Sequence, residues 1–265
     1  MRLAWVTDIH LNFLTDRAAE AFCAEIGETG TDAILVGGDI GEAPSLLRYL
    51  DLLEARIARP IYLVLGNHDF YGGSIQAVRA AVSGRCAGAR WLTWLNERDV
   101  IELTEDTGLI GHDGWADGRL GTGRGSRVEL NDYHLIEDFD GVPLPARFER
   151  LGALGDEAAA HVRRVLPLAL GRFRRLIFLT HVPPFRAACW HEGRISDDDF
   201  LPHFTCKAVG DVLIDAMRAR PDQELLVLCG HTHGSGVVNV LPNLRVLTGG
   251  AEYGRPRIQR PLITL

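Results

Sequence analysis

Five apolar runs recur along the chain: Leu3–Val6, Ala33–Val36, Ile61–Leu65, Leu176–Leu179 and Leu225–Leu228. Each is short and aliphatic, as strands are. Between the first three, apolar residues return at helical spacing. Ala19, Phe22, Cys23 and Ile26 share one face of a stretch that opens at Asp16 and closes at Gly27 and Gly30. Leu46, Leu50, Leu53 and Ile57 follow Pro44-Ser45 and stop at Pro60. Ser74 is a candidate cap for a third helix carrying Ile75, Val78 and Val82. Strand and helix in alternation predict right-handed crossovers and a parallel sheet at the core.

The middle of the chain changes character. Trp91–Leu95, Val100–Leu103 and Leu109–Ile110 are short and separated by polar turns, which predicts antiparallel β-structure. Residues 113–146, rich in Gly, Asp and Arg, lack a period and read as a long surface excursion. Helical spacing returns over Asp156–Leu170 and Thr205–Arg220, with a second irregular insert at 182–204 between them. β-structure closes the chain at Val237–Leu241, Leu244–Leu247 and Ile258–Leu265. Neither a repeat nor a linker divides 1–265, so the expectation is one domain of two packed sheets with helices outside and lid-like inserts at 113–146 and 182–204.

The chemistry lies just past the strand-like runs. Asp8-Ile9-His10 follows the first, Gly37-Gly38-Asp39 the second, Gly66-Asn67-His68-Asp69 the third, Thr180-His181 the fourth, and Gly230-His231-Thr232-His233 the last. Segments that end alike can pool their ends at one sheet edge. What collects there is carboxylate, amide oxygen and imidazole, a donor set suited to two divalent cations. Asp8 and His10 are two apart, so an extended segment turns both to one side, and His231 and His233 repeat that spacing. Any one of these pieces alone reads as a polar turn. Five in sequence do not.

Composition narrows the setting. The chain has 265 residues with a formal charge of −7, from 28 basic and 35 acidic side chains, which argues against a nucleic acid partner. No apolar stretch is long enough to span a bilayer, and the start shows no signal-peptide pattern. Five Cys with no CxxC pair fit reduced thiols, so a cytoplasmic setting is expected.

With these residues in place, the chain resembles the calcineurin-like metallophosphoesterases. Their ordered signature is D-x-H, GD, GNH-D/E, H and GHxH; here it reads Asp8-Ile9-His10, Gly38-Asp39, Gly66-Asn67-His68-Asp69, His181 and Gly230-His231-Thr232-His233. The resemblance implies an α/β fold, a four-layer αββα sandwich of two mixed sheets flanked by helices. It implies one metal held by Asp8, His10, Asp39 and His233, and a second by Asp39, Asn67, His181 and His231. The ions would be Mn, Fe, Zn or Co. His68 would meet the leaving oxygen, with Asp69 orienting its ring. The implied reaction is hydrolysis of a phosphomonoester or phosphodiester by attack of a metal-bridging hydroxide.

Within the family, Ile40-Gly41-Glu42 after Gly38-Asp39 departs from the Asp-Arg-Gly of the protein Ser/Thr phosphatases, and His68 departs from the Arg of the lipid-A-precursor hydrolases. A small-molecule or nucleotide phosphoester is the expected substrate. The alternatives are a catalytically silent scaffold of the same fold and a nuclease of the family. From the loops and inserts, His112, Arg186, His191 and Arg194 are the candidate substrate contacts, set against ordinary loop and lid packing for each.

Overall fold

A computed structural model describes residues 1–265. Its first half reads β1 (Arg2–Val6), α1 (Asp16–Glu28), β2 (Ala33–Gly37), α2 (Ala43–Ile57), β3 (Ile61–Val64), α3 (Ile75–Ala87), β4 (Leu92–Trp94), β5 (Ile101–Glu102) and β6 (Thr107–His112). Then come α4 (Asp132–Leu135), α5 (Leu144–Leu170), β7 (Arg175–Thr180), the small hairpin β8 (Trp190–His191) and β9 (Arg194–Ile195), α6 (Leu201–Phe204) and α7 (Lys207–Arg218). The chain ends in β10 (Glu224–Cys229), β11 (Gly236–Leu241), β12 (Leu244–Thr248) and β13 (Ile263–Thr264).

Two mixed sheets form. The first has the order β13-β1-β2-β3-β4, parallel throughout except at β13. The second has the order β11-β12-β10-β7-β6-β5, with a parallel centre and antiparallel edges. Strand alternation explains the layering. Leu3, Trp5, Ala33 and Leu35 point inward and meet Leu109, Ile177, Leu179 and Leu228 of the other sheet. The intervening Ala4, Val6, Ile34 and Val36 point outward onto Phe22, Leu46, Leu50 and Val78 of α1–α3. On the far side, Leu176, Phe178, Leu225 and Val227 pack on Val162, Val165, Val209 and Leu213 of α5 and α7. Strands covered on both faces have no polar side to show, which is why they appear as unbroken apolar runs. The result is the four-layer αββα sandwich.

The helix starts follow local chemistry. Thr15 accepts a hydrogen bond from the amide of Ala18 at the head of α1, and Ser74 does the same for Ala77 at the head of α3. Three expectations need correction. β4 is parallel to β3 and β6 parallel to β7; only β5 with β6 is antiparallel in that region. The long helix begins at Leu144 rather than Asp156, so it claims the end of the 113–146 segment. Gly152 and Gly155 make its first half look broken in sequence. Gly155 is a contact point instead, because a Cβ there would collide with Asp117. The segment 113–143 is also less peripheral than expected, since Trp115, Tyr133, Ile136 and Phe139 are buried in the core beside α1–α3.

Parallel register brings the strand ends level. Val6 lies beside Val36, Val36 beside Leu63, and Leu179 beside Leu228. Every ligand-bearing turn therefore leaves the same edge of its sheet, the carboxyl edge, where open α/β sheets form their clefts. No helix is long and apolar enough to cross a membrane.

Candidate metal centre

The turns past the strands continue the sheet as a backbone zipper. The amide of Asp8 donates to the Gly38 carbonyl at 3.0 Å, that of His10 to Asp39 at 2.9 Å, and that of His181 to Asp113 at 2.9 Å. Seven non-glycine residues have positive φ, and five are Asp8, His10, Asp39, His231 and His233. Left-handed backbone costs a non-glycine residue about 1 kcal/mol or more, so its concentration on these side chains marks a site that the surrounding structure enforces. Two glycines permit the close approach. Gly38, at φ +89°, would place a Cβ 2.5 Å from the Gly66 amide nitrogen, and a Cβ on Gly230 would collide with the Asp8 carboxylate.

Two donor groups result, sharing Asp39. In the first, the ligand atoms of Asp8, His10, Asp39 and His233 all lie within 4.8 Å of one another. His10 Nε2 is 3.1 Å from His233 Nε2 and 3.6 Å from Asp39 Oδ2, and His233 Nε2 is 3.6 Å from Asp8 Oδ1. Thr7 donates its hydroxyl to Asp8 Oδ2, and the His231 amide donates to Asp8 Oδ1. Both fix the carboxylate plane.

In the second group the protons can be placed. His181 Nδ1 donates to the Gly37 carbonyl at 2.8 Å, and His231 Nε2 to the His203 carbonyl at 2.9 Å. Each ring therefore presents a lone pair on its other nitrogen, an assignment made from the hydrogen-bond network. Asn67 donates through Nδ2 to Asp132, which turns its carbonyl oxygen inward. Asn67 Oδ1 then stands 3.1 Å from His181 Nε2 and 2.9 Å from His231 Nδ1, while Asp39 Oδ1 is 3.5 Å from His181 Nε2. Four lone pairs converge with no proton between them. A cation is the species that satisfies such a point, so the residues present fit a divalent metal there.

Electrostatics agrees with that fit. Burial, then the neighbouring His68, His233 and His181, holds His10 down to about 2, and burial lowers His181 and His231 as well. The rings of His10, His181 and His231 are thus kept unprotonated and open as donors at neutral pH. Burial, then Asp8 and Asp69, raises Asp39 well above the usual carboxylate range. A bound cation offsets that cost directly.

His68 follows Asn67 and stands at the mouth of the site. Its ring stacks on Tyr71 at 4.3 Å and meets the His10 ring edge-on at 4.6 Å, and its Nε2 is 3.5 Å from the Tyr253 hydroxyl. Burial and the surrounding histidines hold it down to about 3. Asp69 does not orient this ring. Its Oδ1 accepts from the amides of Ile40 and Gly41 and its Oδ2 from Gly66, at 2.8–2.9 Å, so the carboxylate ties the turn after β2 to the turn after β3.

The candidate substrate contacts separate. His191 lines a cleft of about 240 Å³ together with His68, Tyr71, Phe204, His233 and Tyr253. His112 is buried against His161 under α5, with Nδ1 accepting from the Gly114 amide, and does not line the cleft. Arg186 is exposed and paired with Asp198, and Arg194 lies exposed on the β8–β9 hairpin; neither lines the cleft. β6 ends with His112 on its helix-facing side, which is why proximity in sequence to a strand end was not enough. A larger cavity of about 460 Å³ lies at the amino ends of β7 and β10 and contains none of the ligands. Three residues not anticipated belong to the site: Asp132, which holds Asn67; Tyr71, under His68; and Tyr253, over His10. No local pattern marks any of them.

Solved structures with the same fold include a phosphopantetheinyl hydrolase from Mycobacterium tuberculosis, at 16% identity and a TM-score of 0.68, with 98% of this chain and 96% of that one covered. A dimetal phosphatase from Danio rerio, also at 16% identity, superposes with a TM-score of 0.57 over 94% of this chain and 87% of that one. A 5'-nucleotidase from Candida albicans, at 12% identity, has a TM-score of 0.51 over 94% of this chain and 45% of that one. Identities this low speak for the fold alone. No curated protein matches the sequence. The pattern of the calcineurin-like phosphoesterases, however, matches residues 1–235, a span that includes all five ligand-bearing turns, and the chain belongs to that family.

Proposed function

We propose that this protein is a hydrolase of small phosphoesters that works with two divalent cations, one in each donor group. The observation that carries the proposal is the division of Asp39. Its Oδ2 faces His10 and its Oδ1 faces His181, so one carboxylate serves both groups. Asp8, His10 and His233 complete the first; Asn67, His181 and His231 complete the second. Mn, Fe, Zn and Co all accept such mixed nitrogen and oxygen donors.

When bound, a pair of such ions supplies Lewis acidity toward the phosphoryl oxygens and lowers the pKa of water. The chain supplies the rest. The carbonyls of Gly37 and His203 hold His181 and His231 in the tautomers that leave their inward nitrogens free. Stacking on Tyr71 holds the His68 ring upright, with Nε2 at the cleft, where an N–H can meet negative charge on a departing oxygen. Asp69 keeps the turns bearing Asp39 and His68 in fixed relation. The cleft beside the two donor groups, about 240 Å³, is the place for the ester.

The test pairs metal analysis with hydrolysis of 4-nitrophenyl phosphate and bis(4-nitrophenyl) phosphate after loading with Mn, Fe, Co or Zn. Two equivalents of metal and turnover of at least one ester are expected, and Asp39→Ala should lose both metals and the activity together. Two bound equivalents with no turnover under any of the four metals would refute the hydrolase reading.

A further inference from the structure

Tyr253 and Phe13 are large aromatic residues left exposed, at 45% and 52%, and they touch each other with ring centroids 4.7 Å apart. They are not scattered surface residues. The Tyr253 ring lies 4.6 Å from that of His10 and 4.9 Å from that of His233, two members of the first donor group. Its hydroxyl is 3.5 Å from His68 Nε2. A ring in this place meets whatever the ester carries beyond its phosphorus.

The segment that presents Tyr253 is built to hold it. The amide of Ala251 donates to the His233 carbonyl at 3.0 Å, and that of Arg255 closes a turn onto Glu252 at 3.0 Å. The Gly250 carbonyl accepts from Arg257 Nε at 2.8 Å and from Gln259 Nε2 at 2.9 Å. The ring is therefore preorganised, which lowers the entropy cost of binding against it. Tyr253 lies past residue 235, outside the span that the family pattern matches.

Charge points the same way. The cleft lining contains no Lys or Arg, and it includes Asp132. Arg255 is paired with Glu252, and Arg257 is turned onto Gly250. Within that lining a second or third phosphate on the substrate would find no cationic side chain. An apolar ring would find Tyr253 at the cleft, with Phe13 beside it. Exposed apolar surface beside a polar site is the usual mark of a ligand contact.

We propose that Tyr253, supported by Phe13, is a specificity-determining shelf for an uncharged aromatic or apolar group on a singly phosphorylated ester. This rests on the phosphoesterase reading above, since it takes the phosphorus to sit between the two donor groups. Nucleoside polyphosphates are accordingly poor substrates.

Binding of phenylphosphonate and methylphosphonate to the manganese-loaded protein, measured by calorimetry, tests the shelf without requiring turnover. The native protein should prefer the phenyl compound. Tyr253→Ala should reduce that preference about five-fold, in the range of one aromatic contact, with manganese content unchanged. Tyr253→Phe should keep the preference, and Phe13→Ala should reduce it by about half as much on a logarithmic scale. No preference in the native protein, or a preference untouched by Tyr253→Ala, overturns the shelf even if esters are hydrolysed. If the preference and its loss are seen but no ester is cleaved, the shelf stands and the hydrolase reading falls.

Discussion

Asp132 Oδ1 accepts the Asn67 amide proton at 2.8 Å, and the Tyr71 hydroxyl donates to the same oxygen at 2.6 Å. One buried carboxylate thus reaches two parts of the site. Through Asn67 it aims the amide carbonyl at His181 and His231. Through Tyr71 it steadies the ring on which His68 stacks.

Asp132→Ala should therefore act on the second donor group more than the first. Without the acceptor, the Asn67 amide can rotate and offer its NH2 where a lone pair is needed. Loss of such an orienting partner typically weakens metal affinity by about 10–100-fold. Titration against a chelator should show one equivalent bound as before and the other weakened. Equal affinity for both equivalents in the variant would rule out this role for Asp132.

His68→Ala should leave two metals in place and lower kcat by about 10²–10⁴-fold, the usual contribution of a group that meets the leaving oxygen. The backbone amide of His68, which donates to Asp39 Oδ1 at 2.9 Å, survives the substitution, so the Asp39 geometry is kept. An ester with a very acidic leaving group should recover much of the lost rate. Full turnover on a poor leaving group would remove His68 from the proposed chemistry.

Asp69→Ala predicts a different outcome, because its partners are backbone amides. Truncation leaves the amides of Ile40, Gly41 and Gly66 without their acceptor. At about 1 kcal/mol or more for each buried donor, the loss of stability should reach roughly 3 kcal/mol. Chemical denaturation of the metal-free protein measures it directly. A variant as stable as the parent, with a shifted pH profile for kcat, would restore the pairing with His68 that the sequence suggests.

The contrast between Asp69 and Asp132 shows where sequence reading stops. The five strand-end turns were legible because a parallel sheet repeats one local device: an apolar run, a tight turn, a ligand. The cap at Ser74 and the apolar faces of α1–α3 are equally local. Asp132, by contrast, meets a partner 65 residues away from inside a segment with no period. Tyr253 reaches His68 across 185 residues from a polar turn. β4 has three residues and takes its direction from β3 alone. Gly155 looked like a helix breaker because the Asp117 side chain that needs its missing Cβ is distant in sequence. Contacts of this kind exist only once the layers have packed.

Gly66→Ala tests how tightly the turns are fitted. The added methyl carbon would collide with Asp39 Oδ1 and stand 2.6 Å from the Asp39 amide nitrogen and 2.7 Å from His181 Cε1. Backbone on one side and two ligands on the other leave it nowhere to go. Metal content should fall well below two equivalents. Gly84→Ala in α3 is the control: it meets nothing within 4 Å, and should keep both metals while gaining about 0.5–1 kcal/mol of stability. Full metal content in Gly66→Ala would mean that the turns can separate without loss of the site.

His112 makes a prediction about acid stability away from the ligands. Burial, then His161 and Arg79, pushes its pKa well below the ordinary 6.5. The unfolded chain takes up a proton at about pH 6.5 and the folded chain does not, so protonation favours unfolding on the acid side. Its stabilising contribution is present in full above pH 6.5 and is lost as pH falls through that value. Between about pH 7.5 and pH 5.5 the loss from one such group is on the order of 1 kcal/mol. His112→Asn removes the titration while offering an amide oxygen to the Gly114 amide that Nδ1 now serves. With both proteins stripped of metal by a chelator, the parent should lose on the order of 1 kcal/mol more than the variant across that interval. Parallel stability curves would show that His112 is protonated within the folded protein, and that the α5 interface around it admits water.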